Sequence, residues 1–141
     1  MSKKFSHINT RGTGAELVIK PFPAWNGEEG SVKFTLSSQK GIIDFKNDDS
    51  LEFFCTPNDI AHMIGVFRGM DESVKNGMGI RRLGSVMKLE HRTEPLPGYI
   101  LSIDEKDGES MKHLHIVLDQ YEALELNLAL EGLMSKLVFG I

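Results

Sequence analysis

Cysteine is nearly absent from this 141-residue chain, for Cys55 stands alone. Without a second thiol there is no internal disulfide framework, and a reducing compartment such as the cytoplasm is the expected setting. No run approaches the ~18 apolar residues of a membrane span. Met1 Ser2 Lys3 Lys4 Phe5 Ser6 also lacks the apolar stretch of a secretion signal, so a soluble, unexported chain is expected. Positive charge is in deficit as well. The net charge of −4 argues against indiscriminate binding to polyanions, which needs positive potential and counterion release. The average hides a split, because residues 1–92 carry 13 Lys/Arg against 11 Asp/Glu while residues 93–141 carry 3 against 9. Any anion-binding surface is therefore expected mainly in the first two-thirds.

Enzyme motifs are missing too. The glycines at 77, 79 and 84 are not followed by Lys-Ser/Thr, which excludes a phosphate loop. Cys55 precedes a helix start, a place where thiols are activated, but burial at a strand end is the expected fate. His113 and His115 share a strand face, and His62 or His91 would be needed as a third metal ligand. A metal there is not the expected reading, and Asp104, Glu105, Asp107 and Glu109 on one turn are expected to be a solvated charged loop. No catalytic residue, metal or cofactor is assigned.

What the chain does have is periodicity. Residues 1–14 mix polar residues with glycines and read as a flexible N-terminal arm. Ala15–Phe22 reads as a strand closed by Pro21 and Pro23. Trp25 follows in a loop, either folded over a core edge or facing solvent. Ser31–Leu36 alternates cleanly, with Val32, Phe34 and Leu36 on one face. Further strands are expected at Ile42–Lys46 and Leu51–Cys55, split by the polar cluster Asn47 Asp48 Asp49 Ser50. Thr56 then caps a helix with Pro57 at its first position, Ile60, Met63, Ile64 and Phe67 at helical spacing, and Gly69 at its end.

The second half repeats the first. Residues 70–80 read as a loop, and strands follow at 80–83, 85–93, 99–103 and 111–118. Asp119 and Glu122 then form a capping box that opens the last helix. One domain is expected, residues 15–141, made of two ββββα repeats at 15–69 and 80–141. The fold class is α+β, two four-stranded antiparallel sheets packed with two helices. In the last helix Leu126, Leu130, Leu133 and Leu137 form one stripe, with Tyr121, Leu124 and Leu128 beside it. That arc is wider than one sheet face needs, so the excess serves either a broad monomer core or a contact between subunits.

With no enzyme motif, a binding surface remains. Lys33, Lys40 and Lys46 come from segments that also carry Phe34 and Phe45, and Arg81, Arg82, Lys88 and Arg92 line the matching part of the second half. Sheets that grip single strands combine cations with aromatic planes on which bases stack. Phe34 belongs with the core, which leaves Trp25, Phe45 and Tyr99 as the stacking candidates.

Over residues 15–141 the chain resembles the single-stranded DNA-binding family of the plant Whirly proteins and transcriptional positive cofactor four. The matching residues are Leu17 Val18 Ile19 Lys20 Pro21 Phe22 Pro23, Thr56 Pro57 Asn58 Asp59 Ile60, Lys88 Leu89 Glu90, Glu94–Ile103 and Ile116–Leu124. The Lys-Gly-Lys motif of Whirly proteins is absent, and Lys40 Gly41 to Lys46 is the nearest stretch. The resemblance implies two roughly perpendicular sheets with helices beneath, and self-association as a homodimer or larger oligomer through the C-terminal helix, by way of Leu126, Leu130, Leu133 and Leu137. It also implies a non-enzymatic protein of phage or bacterial type that binds single-stranded DNA with little sequence preference. Replication, recombination or transcription would be the process served, with proteins of replication or recombination as further partners. The rival expectation is an assembly protein that uses the same fold for protein contacts.

Overall fold

A computed structural model describes residues 2–7, 13–40, 44–70 and 77–141, with residues 40 and 44–49 described in their backbone alone. The first sheet holds β1 (Lys3–His7), β2 (Ala15–Phe22), β3 (Ser31–Lys40) and β4 (Asp44–Cys55) in chain order, and α1 (Pro57–Arg68) follows. The second holds β5 (Gly77–Arg82), β6 (Ser85–Arg92), β7 (Gly98–Asp107) and β8 (Ser110–Asp119), and α2 (Gln120–Phe139) follows. Every neighbouring pair is antiparallel. The architecture is ββββα twice, as the repeat implies.

Two strands differ from the pattern read in the sequence. Lys3–His7, inside the supposed arm, forms β1 and pairs with β2 from Lys3 opposite Ile19 to His7 opposite Ala15. An edge strand needs only one inward anchor, here the buried Phe5, so it carries no alternation to detect. The expected break at Asn47–Ser50 does not occur. β4 runs unbroken from Asp44 to Cys55, with a register shift between Ser37 and Gln39 of its partner, because cross-strand pairing outweighs the turn preference of polar residues. Of the expected loop at 70–80, residues 71–76 lie outside the described residues, and Gly77 already belongs to β5.

The helix starts follow the local chemistry. Thr56 accepts from the Asp59 amide and its own amide donates to the Asp59 carboxylate at 2.9 Å. Asp119 and Glu122 do the same at α2. Each box satisfies two amides that a helix start leaves without partners. Gly69 and Gly140 close the helices in left-handed conformation, where a side chain would be strained.

Both sheets turn one face inward. Directly opposed rows run Ile19, Phe34, Phe53 in the first sheet and Met78, Leu89, Leu101, Ile116 in the second. They meet α1 and α2 in one core. Leu126, Leu130 and Leu137 lose all their exposure within the single chain, and Leu133 packs against the same core. These leucines therefore serve the monomer's interior, which corrects the subunit contact the resemblance implied for them: the helix crosses over both sheets, and its wide arc is used there. The stripe left outside is the adjacent one, with Tyr121, Leu124 and Leu128 exposed by 73%, 55% and 59%. No described helix is long and apolar enough to cross a membrane.

Candidate nucleic-acid interface

The outward faces of the two sheets follow from the same alternation that builds the core. In the first sheet Lys20 lies opposite Lys33, and Lys33 lies opposite Phe54. One step along the same face comes Phe22. Its ring sits 6.1 Å from that of Phe54, and Lys20 Nζ lies 5.4 Å from its centroid. Phe22 and Phe54 are exposed by 37% and 50%. Lys33 is half-buried, with Nζ 3.6 Å from Glu52, while Lys20 makes no ion pair among the described residues. Two open aromatic rings flanked by two ammonium groups on one sheet face suit stacked bases and a phosphate backbone together.

Of these four residues only Lys33 is a candidate from the sequence. The signal for Phe54 was present. If Leu51, Phe53 and Cys55 face inward, the intervening Phe54 must face out. Phe22 was masked by the prolines on either side of it.

The second sheet's outer face is built differently. Arg81 lies across from Val86, then Asp104, then His113; Lys88 lies across from Ser102, then His115. Arg81 and Lys88 are exposed and free of ion pairs among the described residues. Arg92 is half-buried, and its Nε donates to the Glu94 carbonyl at 2.9 Å, which ties it to the β6–β7 turn. By register, Val117 takes the position that Phe54 holds in the first sheet, while Ile100 and Arg92 take those of Lys33 and Phe22.

Three candidates are placed elsewhere. Arg82 shares the face of Ile80 on β5, and its exposed guanidinium pairs with Asp59 and lies 5.7 Å from the Phe53 ring centroid. Tyr99 also faces inward, 4.9 Å from Phe67 edge-on and 5.2 Å from His91. Burial pushes its hydroxyl pKa up. The ring lines a cleft of about 530 Å³ between α1 and α2, on the side away from Arg81 and Lys88. Trp25 is 82% exposed, which decides for the solvent-facing alternative. Its neighbours are Glu28, Glu29, Val138 and Phe139 rather than cations. The side chains of Lys40, Phe45 and Lys46 lie outside the described residues.

Where the two sheets meet, Ser38, Ser50 and Leu51 face Lys112, His113 and Leu114 across a cleft of about 280 Å³. Cys55 is sealed in the core; burial first, and the Asp59 carboxylate second, push its thiol pKa far up, so it is no nucleophile at neutral pH.

No protein-family model and no curated protein matches the chain. Solved structures do. The chain is similar to WHY1 from Arabidopsis thaliana at 12% identity and a TM-score of 0.73, covering 98% of this chain and 87% of that one. It is similar to the plant transcriptional regulator PBF-2 at 17% identity and 0.70, covering 97% and 82%. A guide-RNA-binding protein complex bound to a gRNA matches at 11% identity and 0.71, covering 94% and 88%. At such identities the likeness shows the fold alone: two four-stranded antiparallel sheets with two helices, arranged as in the Whirly proteins.

Proposed function

We propose that the protein binds single-stranded nucleic acid, with DNA as its substrate and little preference for sequence, and that it acts without catalysis in replication, recombination or transcription. The observation that carries this is the open pairing of Phe22 and Phe54 with Lys20 and Lys33 on one sheet face. Stacking on rings tolerates any base, because every base presents a π-face. A structure of similar fold holds a guide RNA, and another is described as a plant transcriptional regulator, which adds weight to a nucleic-acid partner.

Self-association belongs to the same reading, through Tyr121, Leu124 and Leu128 rather than the buried leucines. Three large side chains spaced three and four residues apart on one exposed helix face form a stripe that a second helix covers well. The same stripe favours the second reading, an assembly protein that uses its helices for protein contacts. Titration of labelled oligonucleotides at two salt concentrations, against a duplex of equal length, separates the two. Tight, salt-dependent, strand-selective binding supports the first reading. No binding at low salt, or equal affinity for duplex, removes it.

A further inference from the structure

We infer that His113 and His115 form an open site for a divalent transition metal of the zinc or copper class, oriented by Asp104, on the outer face of the second sheet. The strand period starts the argument. In β8 the order His113 Leu114 His115 puts both imidazoles on the outside while Leu114 packs against the core. Register does the rest, since His113 lies directly opposite Asp104 on β7 and His115 opposite Ser102.

Asp104 Oδ1 is 2.6 Å from His113 Nδ1. An ionised carboxylate only accepts, so Nδ1 carries the proton and the lone pair of the neutral ring sits on Nε2. That lone pair faces His115 Nδ1 at 3.2 Å. With metal–nitrogen bonds of about 2.0–2.1 Å, a nitrogen separation of 3.2 Å corresponds to an N–metal–N angle of about 100–106°, close to tetrahedral. A carboxylate behind a ligating imidazole is the usual way such a ring is held and made more basic. Without metal, the His115 Nδ1–H donates to His113 Nε2. Metal binding at Nδ1 requires the other tautomer of His115, with the proton carried on Nε2 of the same neutral ring.

No third His, Cys, Asp or Glu completes a ligand group among the described residues. The protein therefore supplies two ligands, and water or a bound molecule fills the rest, as in an exchangeable rather than a structural site. Lys88 and Arg81, in the rows of His115 and His113, oppose a cation and moderate its affinity, while Lys112 lies 3.9 Å from the Asp107 carboxylate.

The test is a Zn²⁺ titration of the untagged chain by calorimetry, with imidazole NMR assigning the ligands, in the absence of nucleic acid. One Zn²⁺ per chain is expected, with His113 and His115 shifting together. His113→Ala and His115→Ala should each weaken binding at least tenfold, and Asp104→Asn by roughly 10- to 100-fold. His62→Ala, on exposed α1, should change nothing. All three site residues lie on the outer face, and a thermal melt of each variant confirms folding. Absence of binding at millimolar Zn²⁺, or binding that survives both alanine variants, overturns the site.

Discussion

The two halves of the molecule are alike inside and unlike outside. Each sheet seals a directly opposed aliphatic or aromatic row against the helices, and each feeds its helix through a capping box. Outside, the first half shows Phe22 and Phe54 beside lysines, whereas the second shows Ile100 and Val117 among arginine, lysine and histidine. The difference teaches that the fold constrains only the inward period. The outer period is free to differ, and there the two halves take on different chemistry.

Substitutions sharpen this contrast. The largest effects belong to the equivalent inner faces: Phe34→Ala in the first half should cost about 3–5 kcal/mol of stability and Leu101→Ala in the second about 2–5 kcal/mol, read by denaturant unfolding. A small cost in one half alone would break the equivalence. Next comes the outer contrast. Phe54→Ala should weaken oligonucleotide binding by about 1–3 kcal/mol, measured by fluorescence anisotropy, with the melting temperature nearly unchanged. Val117→Ala, its counterpart in the second half, should leave affinity in place; if the two lose equally, the first face is not the stacking platform.

A third contrast lies at the strand ends, where Cys55 occupies the place that Leu118 holds in the repeat. The folded thiol has its pKa raised by burial, so above the ordinary thiol range the unfolded chain releases a proton that the folded chain keeps. Stability should therefore be unaffected below pH ~8.5 and fall by about 1.4 kcal/mol per pH unit between roughly pH 8.5 and 10. Cys55→Val should flatten that slope, and an unchanged slope would exclude the thiol as its source. The smallest effect concerns charge. Lys20→Gln and Lys88→Gln should each reduce the salt dependence of binding by about 0.7 in the log–log slope, if a strand touches both faces. A change for Lys20 alone would confine the strand to the first half.

Much of the fold was legible because its chemistry is local. Thr56 and Asp119 announce their helices through side chains that reach only three residues along the chain. The alternation of Val32, Phe34 and Leu36 likewise names its own inner face. β1 was not legible, since an edge strand with Phe5 as its one buried anchor has no period. The continuity of β4 across Asn47–Ser50 depends on pairing with β3, which no local pattern contains. Charge and alternation place Lys33, Arg81 and Lys88 on the outer faces, where the structure has them. Nothing nearby in sequence reveals that Arg82 pairs with Asp59 across the gap between elements. Leu126, Leu130 and Leu137 show the same limit. Periodicity finds an apolar stripe but does not tell whether the chain itself or a second copy covers it.

The end of α2 is sewn to the opposite half: Ala24 and Gly30, flanking the Trp25 turn, donate their amides to the Lys136 and Leu137 carbonyls at 2.9 and 2.7 Å. α2 also touches β2, and α1 touches β5, so each helix roofs part of the other repeat's sheet. Neither repeat expressed alone would keep its lining dry, and heating should melt the two together in one concerted step.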